Sequence, residues 1–381
     1  MIYRNKDIMA KDINKQPFPV ETRLKLQIFS ECFREWFPVF IHNHYIHEVF
    51  IYDFFAGSGK DSVGTLGSPL VLLNEAKGDG CKYCNQVEKK IYFAFNEKDK
   101  VKQSSLVENI KDFMSNCLSQ NCKRNKCVYD YLIFSQMDFK DAFQDSKFQA
   151  ILNNINFGKF ILLDQCGFSQ IEIDTFHKLV HAPKTDFIFF ISSSYIRRFK
   201  DEPAVKRYFD TAKIAFDEKR PKDCHRLIAE YYKSFVPPGR EYYLHHFTIQ
   251  KGANYWGLIF GTNHSLGMEK FLKVCWRYDK MAGESNCNVY GDFLQDTLFY
   301  NENETVKKMK LETEIKNKII SGEISDNITG LKYALKQGCL PALFTLTVKK
   351  LEAEQRILRT GDLNYTSTNI HKAKQYRITV I

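Results

Sequence analysis

The stretch Asp53-Phe54-Phe55-Ala56-Gly57-Ser58-Gly59 sets an acid, two aromatic residues and two glycines at the end of an apolar run. Three more acids, Glu97, Asp138 and Asp164, stand at or just beyond the ends of later apolar runs. Glycines let a backbone approach a ligand closely, and the N–H groups of such a turn then face it. One carboxylate can accept both hydroxyls of a ribose, and another can accept an adenine amino group. These types in this order suit a nucleoside. Two phosphate-binding readings fail on spacing. A P-loop would need glycine at position 54, where Phe54 stands, and Ser or Thr after Lys60, where Asp61 stands. A dinucleotide fingerprint would need a third glycine where Ser62 stands.

Five short apolar runs must position these acids. They cover 48–55, 90–96, 128–134, 157–163 and 186–191, and helical spacing lies between them, over 68–75, 101–117, 140–153 and 171–180. A helix over 20–40 precedes the first run, with Leu24, Ile28, Phe29, Cys32, Phe33 and Trp36 on one face. Strands apolar along their whole length are buried on both faces, so the alternation predicts a parallel, doubly wound, Rossmann-like α/β sheet. Residues 203–235 read as helical and charged. Two further runs, 241–250 and 255–261, predict a hairpin forming an antiparallel edge. Ligands of such sheets bind beyond the carboxyl ends of the strands, where the four acids fall.

At 381 residues the chain can hold two domains. The polar stretch 300–305 (YNENET) marks the boundary: a loose lead-in over 1–19, a Rossmann-like domain over 20–300 and a small domain over 305–381. The last segment carries 14 Lys and Arg against 7 Asp and Glu, which is +7 of the net +10. That imbalance points to a polyanion, with a solvated surface as the plainer reading. No apolar stretch is long enough to span a membrane. The opening residues lack the apolar run of a signal peptide, and the 11 cysteines are irregularly spaced, as reduced thiols of a cytoplasmic protein would be.

The segment 53–59 resembles the first motif of class I S-adenosylmethionine-dependent methyltransferases, which in nucleic-acid-modifying branches often reads acid-x-F-A-G-x-G. The resemblance implies that Asp53, Ala56, Gly57 and Gly59 hold the methionine end of S-adenosylmethionine, Glu97 the ribose and Asp138 the adenine. Asp164 would face the methyl acceptor as the catalytic acid. The combination ETRLKLQIFSECFREWF, DFFAGSGKD, FILLDQCGF, DFIFFISSSYIRRF and YWGLIFGTNHSLGMEKFLKVCW resembles the three-Cys-motif partner family. That likeness implies a prokaryotic or phage setting linked to mobile elements or defence. It also implies a candidate partner, a three-Cys-motif, radical-SAM-like phage-type protein encoded nearby.

The basic tail reads as three helices, over 305–320, 327–337 and 341–355, then two short strands around a turn at 360–362, which is a winged helix-turn-helix pattern. In such modules the helix after the turn enters the major groove. Thr345, Thr347, Lys349, Lys350 and Arg356 are then candidate DNA contacts, and Arg197 and Arg198, beyond the fifth strand, are candidate phosphate contacts. A protein-interaction module remains the other reading of the tail.

Several chemistries stay open. Amino-methyltransferases acting on DNA follow the fourth-strand acid with Pro-Pro and an aromatic that stacks on the flipped base. Here Gln165, Cys166, Gly167 and Phe168 follow Asp164, so both prolines are missing and the aromatic falls one place late. Cys166 alternatively offers a nucleophilic thiol. Cys81 and Cys84, with Cys117, Cys122 and Cys127, could hold structural zinc. His42, His44 and His47 share no face of a regular element and read as no metal site. Three functions therefore stand: a methyltransferase, a catalytically silent DNA-binding or partner-binding protein, and a nuclease whose metal would sit on Asp53, Asp138 and Asp164.

Overall fold

A computed structural model describes residues 15–83, 88–118, 131–165, 167–292, 301, 304–363 and 374–381, with 117–118 as backbone alone. The side chain of Cys117 and residues Cys84, Cys122, Cys127 and Cys166 lie outside that description, and with them the zinc and thiol readings.

Helix α1, Val20–Ile41, leads into β1, Glu48–Asp53. Then come α2, Ser68–Lys77, β2, Lys90–Asn96, α3, Lys100–Leu118, and β3, Tyr131–Ser135. Two short helices follow, α4, Phe139–Gln144, and α5, Ser146–Leu152, before β4, Phe157–Leu163. Next are α6, Ile173–His181, β5, Thr185–Ile191, α7, Ser193–Arg198, α8, Pro203–Lys206, and α9, Cys224–Lys233. The hairpin is β6, Tyr243–Lys251, with β7, Asn254–Thr262, and α10, Ser265–Tyr278, closes this part. The tail holds α11, Val306–Ile320, α12, Asn327–Lys336, α13, Pro341–Ala353, β8, Ile357–Gly361, and β9, Tyr376–Val380.

The seven-stranded sheet has the order β3-β2-β1-β4-β5-β7-β6. Strands β1 to β5 pair in parallel, and β7 runs against both β5 and β6. This is the doubly wound, Rossmann-like sheet with an antiparallel edge hairpin that the alternation and the two later apolar runs predict. The side-chain period of two divides the core. Val49, Ile51, Phe160 and Leu162 point into a layer with α1, α2 and α10. Ile161, Leu163, Phe187 and Phe189 point into a second layer with α4, α5, α6 and α9.

Three stretches differ from the sequence reading. The helix expected over 140–153 is broken at Asp145, whose carboxylate accepts from the N–H groups of Lys147 and Phe148 and so caps a new helix. Residues 203–235 are helical only in pieces, α8, single 3-10 turns at 211–213 and 221–223, and α9, rather than as one continuous helix. Helix α10 was not expected at all. The His264 ring accepts from the Leu266 N–H to start it.

The tail packs three helices and a two-stranded antiparallel sheet around Leu311, Ile315, Phe344, Val348, Leu351 and Tyr376. These side chains are continuous with the α1 layer of the main sheet. Polar ties cross the seam. The Trp276 indole donates to Gly338 O at 3.1 Å, and Lys307 donates to Ala282 O and Gly338 O. No helix among the described residues is long and apolar enough to cross a membrane.

Candidate active site

The turn after β1 adopts two left-handed conformations, at Gly57 (φ 60°) and Gly59 (φ 81°). A Cβ on Gly59 would also lie 3.0 Å from the Leu106 methyl. Both constraints call for glycine. Gly59→Ala should cost about 1–2 kcal/mol from its backbone conformation alone. Urea denaturation of the two proteins side by side measures that loss.

Asn96 fastens this turn to its neighbours, and sequence reasoning missed it. Its amide donates to Phe54 O at 3.2 Å and Met137 O at 3.1 Å, while its oxygen accepts from Ser135 Oγ and Met137 N. One buried side chain thus joins the loops after β1, β2 and β3. Ala56 N donates to Asn96 O at 3.0 Å, so Ala56 packs the turn against β2. Asn109 adds a bond to Ser58 O at 2.7 Å. The signal was present as an asparagine immediately before Glu97, but its partners lie about 40 residues away.

Glu97 faces the turn. Its carboxylate accepts from Gly57 N at 2.9 Å and from Asp99 N at 2.9 Å. Asp164, at the end of β4, is bonded through both oxygens to the Lys25 ammonium of α1 at 2.6 Å. Both side chains are largely buried, and Lys25 also lies 4.7 Å from the centre of the Phe190 ring. Gly57, Glu97 and Asp164 line one cleft of about 500 Å³, a size suited to a small-molecule ligand. Phe55, Lys25, Phe190 and Trp256 are among the other residues of its walls. Gln165 stands where a proline was expected. It donates to Phe190 O at 3.0 Å and accepts from Gln170 N at 2.9 Å, tying the loop after β4 to β5.

The remaining candidates sit elsewhere. Asp53 is wholly buried under the turn and accepts from Phe55 N at 3.1 Å. Its other oxygen makes no regular hydrogen bond, with the Ser68 hydroxyl alongside. Burial pushes this carboxyl up to about 7, aided by the charges of Asp164 and Glu97. Asp53 therefore shapes the turn from beneath. Asp138 lies to one side, where it caps α4 through Lys140 N and pairs with Lys98 at 2.7 Å; the Lys98 bond holds its pKa below the usual carboxylate range. Phe168 stacks on Tyr195 at 5.1 Å and is not part of the cleft wall. Among the described residues no three His, Cys, Asp or Glu side chains converge as a metal site.

The basic candidates are largely engaged. Arg197 pairs with Glu218 at 2.6 Å, and Arg198 donates to Asn254. In α13, Thr347 is fully buried and donates to Leu343 O, and Thr345 donates to Pro341 O at 3.4 Å. Lys349, Lys350 and Arg356 are exposed, with Lys350 on Glu312 at 2.9 Å and Arg356 within 3.9 Å of Glu354.

No protein-family model matches the chain, and no curated protein matches it. Solved structures do match. Trm1 from Pyrococcus horikoshii, in complex with S-adenosyl-L-methionine, is 9% identical over 94% of this chain and 91% of its own, with a TM-score of 0.37. TrmK from M. capricolum, in complex with S-adenosyl-homocysteine, is 12% identical over 86% and 96%, with a TM-score of 0.30. The METTL16 methyltransferase domain is 11% identical over 67% and 91%, also at 0.30. At these scores the likenesses lend no weight to any function of this chain, which has to rest on its own residues.

Proposed function

We propose that the cleft binds S-adenosylmethionine and that the protein methylates nucleic acid. The observation that carries the reading is the convergence of Gly57, Glu97 and Asp164 on one cleft beyond the carboxyl ends of β1, β2 and β4. The residues fit the cofactor. Gly57 brings a left-handed backbone to the cleft wall without a side chain, and the Glu97 carboxylate lines the same cleft, where it can meet a ribose. When bound, S-adenosylmethionine supplies a methyl group on a positively charged sulfur. Gly57 and Gly59 would hold the methionine end and Glu97 the ribose, with Asp53 supporting the turn. Asp138, freed from Lys98, would reach the adenine.

Asp164 would hold the acceptor amine and take a proton from it. Lys25 Nζ now fills that position, so an acceptor amine has to displace it. The basic tail, as a winged helix-turn-helix domain, would present DNA through Lys349, Lys350 and Arg356. A phage-defence setting, with a three-Cys-motif protein as partner, rests on the sequence resemblance, and a cytoplasmic location on the irregularly spaced cysteines. Asp164→Asn should lower methyl transfer by about 100-fold or more while leaving cofactor affinity within about twofold. Transfer of a labelled methyl group to nucleic acid, beside calorimetric cofactor titration, measures both.

A second reading has its own support. Lys25 neutralises Asp164 on both oxygens, and Gln165 replaces the first proline of the amino-methyltransferase motif. A protein that binds the cofactor and DNA but transfers nothing would look like this. Cofactor binding without transfer to any nucleic acid, in both wild type and Lys25→Ala, selects it.

A further inference from the structure

A separate cavity of about 280 Å³ opens between α1, α10 and the end of the sheet opposite the cleft. Asp186, the second residue of β5, and Asn263, just past the antiparallel β7, place it at the amino-terminal ends of the parallel strands. Its walls are aromatic. Trp36 and Phe40 of α1 stack at 4.0 Å, and Phe260 of β7 stacks on Phe271 of α10 at 4.5 Å. Phe160 adds a fifth ring.

Polar side chains also reach the lining, and two of them, Trp36 and Asp186, are deeply buried there. Trp36 is 4% exposed, and its indole N–H is buried with no regular hydrogen bond. Asp186 is 2% exposed. A buried donor left unpaired is costly, and so is a carboxylate so enclosed. Burial pushes the Asp186 carboxyl up to about 7, against the Thr262 hydroxyl and the Trp36 indole nearby. The indole faces the acid without making a regular hydrogen bond to it, so a ligand seated between them would replace that loose contact.

We propose that this cavity is a second small-molecule site, for a neutral aromatic compound that offers an acceptor to Trp36 Nε1 and an adjacent donor to Asp186. The stacked rings select a flat apolar body. Asp186 opposes an anion. Lys184 in the lining, its ammonium on Tyr45 O at 2.6 Å, opposes a cation, while Lys270 is neutralised by Glu35 at 2.7 Å. An amide-like edge on an aromatic ring answers both polar groups at once.

Benzamide has such an edge, and toluene is the same ring without it. Titration of the full chain, followed by ligand-observed NMR and calorimetry, should give saturable benzamide binding at least about tenfold tighter than toluene. Trp36→Phe and Asp186→Leu should each weaken benzamide by about tenfold or more. Should either variant fail to fold by circular dichroism, Leu266→Trp decides the matter, since it fills the half-buried lining with the polar pair intact. It should abolish benzamide binding. No saturable binding to the wild type overturns the proposal, as does toluene binding as tightly as benzamide. Unchanged affinity in a folded Leu266→Trp also overturns it, because the ligand would then lie elsewhere.

Discussion

Glu97→Ala is expected to weaken S-adenosylmethionine binding by about 100-fold or more. The carboxylate would accept two ribose hydroxyls, and a hydrogen bond to a charged group contributes about 1.5–3 kcal/mol. Two such bonds correspond to at least about a hundredfold, at about 1.4 kcal/mol per tenfold. The same side chain accepts from Gly57 N and Asp99 N, so its loss also loosens the turn that would hold the methionine end. Glu97→Gln separates the two effects. Its amide keeps the shape but offers one acceptor in place of two, so its affinity should fall between wild type and alanine. Calorimetry of the three proteins gives the series, and an alanine variant within about threefold of wild type would remove Glu97 from the cofactor site.

Glu284→Ala should be the most destabilising single change at the seam between the sheet and the tail, at about 3–5 kcal/mol. Glu284 pairs with Lys307 at 2.5 Å, and both side chains are buried. Truncation leaves the Lys307 charge enclosed with the carbonyls of Ala282 and Gly338. Adding Lys307→Met should recover much of the loss, because an apolar replacement of both partners removes the unpaired charge. Denaturant unfolding of the two single variants and the double variant measures the coupling.

The same cluster makes stability acid-sensitive. Burial alone would raise the Glu284 pKa, but Lys307 and the neighbouring histidines override it and bring it to about 2. Below its unfolded value, near 4.5, the unfolded chain takes up a proton that the folded chain refuses, so this contribution fades as pH falls towards about 2. Burial, with Lys307, also lowers His245 to about 4, and burial lowers His246 well below its usual value. Between about 6.5 and 4 the unfolded chain again binds more protons. The contribution of this cluster should therefore drop from pH 6.5 downward, with buried His225, lowered to about 4, adding to the loss and the raised carboxyls of Asp53 and Asp186 opposing it. Replacing Glu284, His245 and His246 by uncharged residues should make the acid loss shallower.

The sheet was legible because its strands carry apolar residues on both faces, and β2 and β4 fall at the expected residues. The strand-tip acids followed from that. What local sequence hides is pairing at a distance. Lys25 and Asp164 are 139 residues apart, and nothing near Lys25 marks it as a partner rather than a surface charge. Asn96 looks like an ordinary polar strand end until the loops after β1 and β3 close on it. Asp145 ends one helix and begins another within a stretch whose apolar spacing continues through the break. The basic tail reads as a separable unit, yet its hydrophobic residues are continuous with the α1 layer, and a buried ion pair joins the two.

The central claim is that the cleft at Gly57, Glu97 and Asp164 holds S-adenosylmethionine. Calorimetric titration of the purified full chain with S-adenosylmethionine and with S-adenosylhomocysteine tests it most directly. The account predicts one site per chain with micromolar affinity for both and a matching rise in melting temperature. No heat of binding and no thermal shift with either ligand would contradict it.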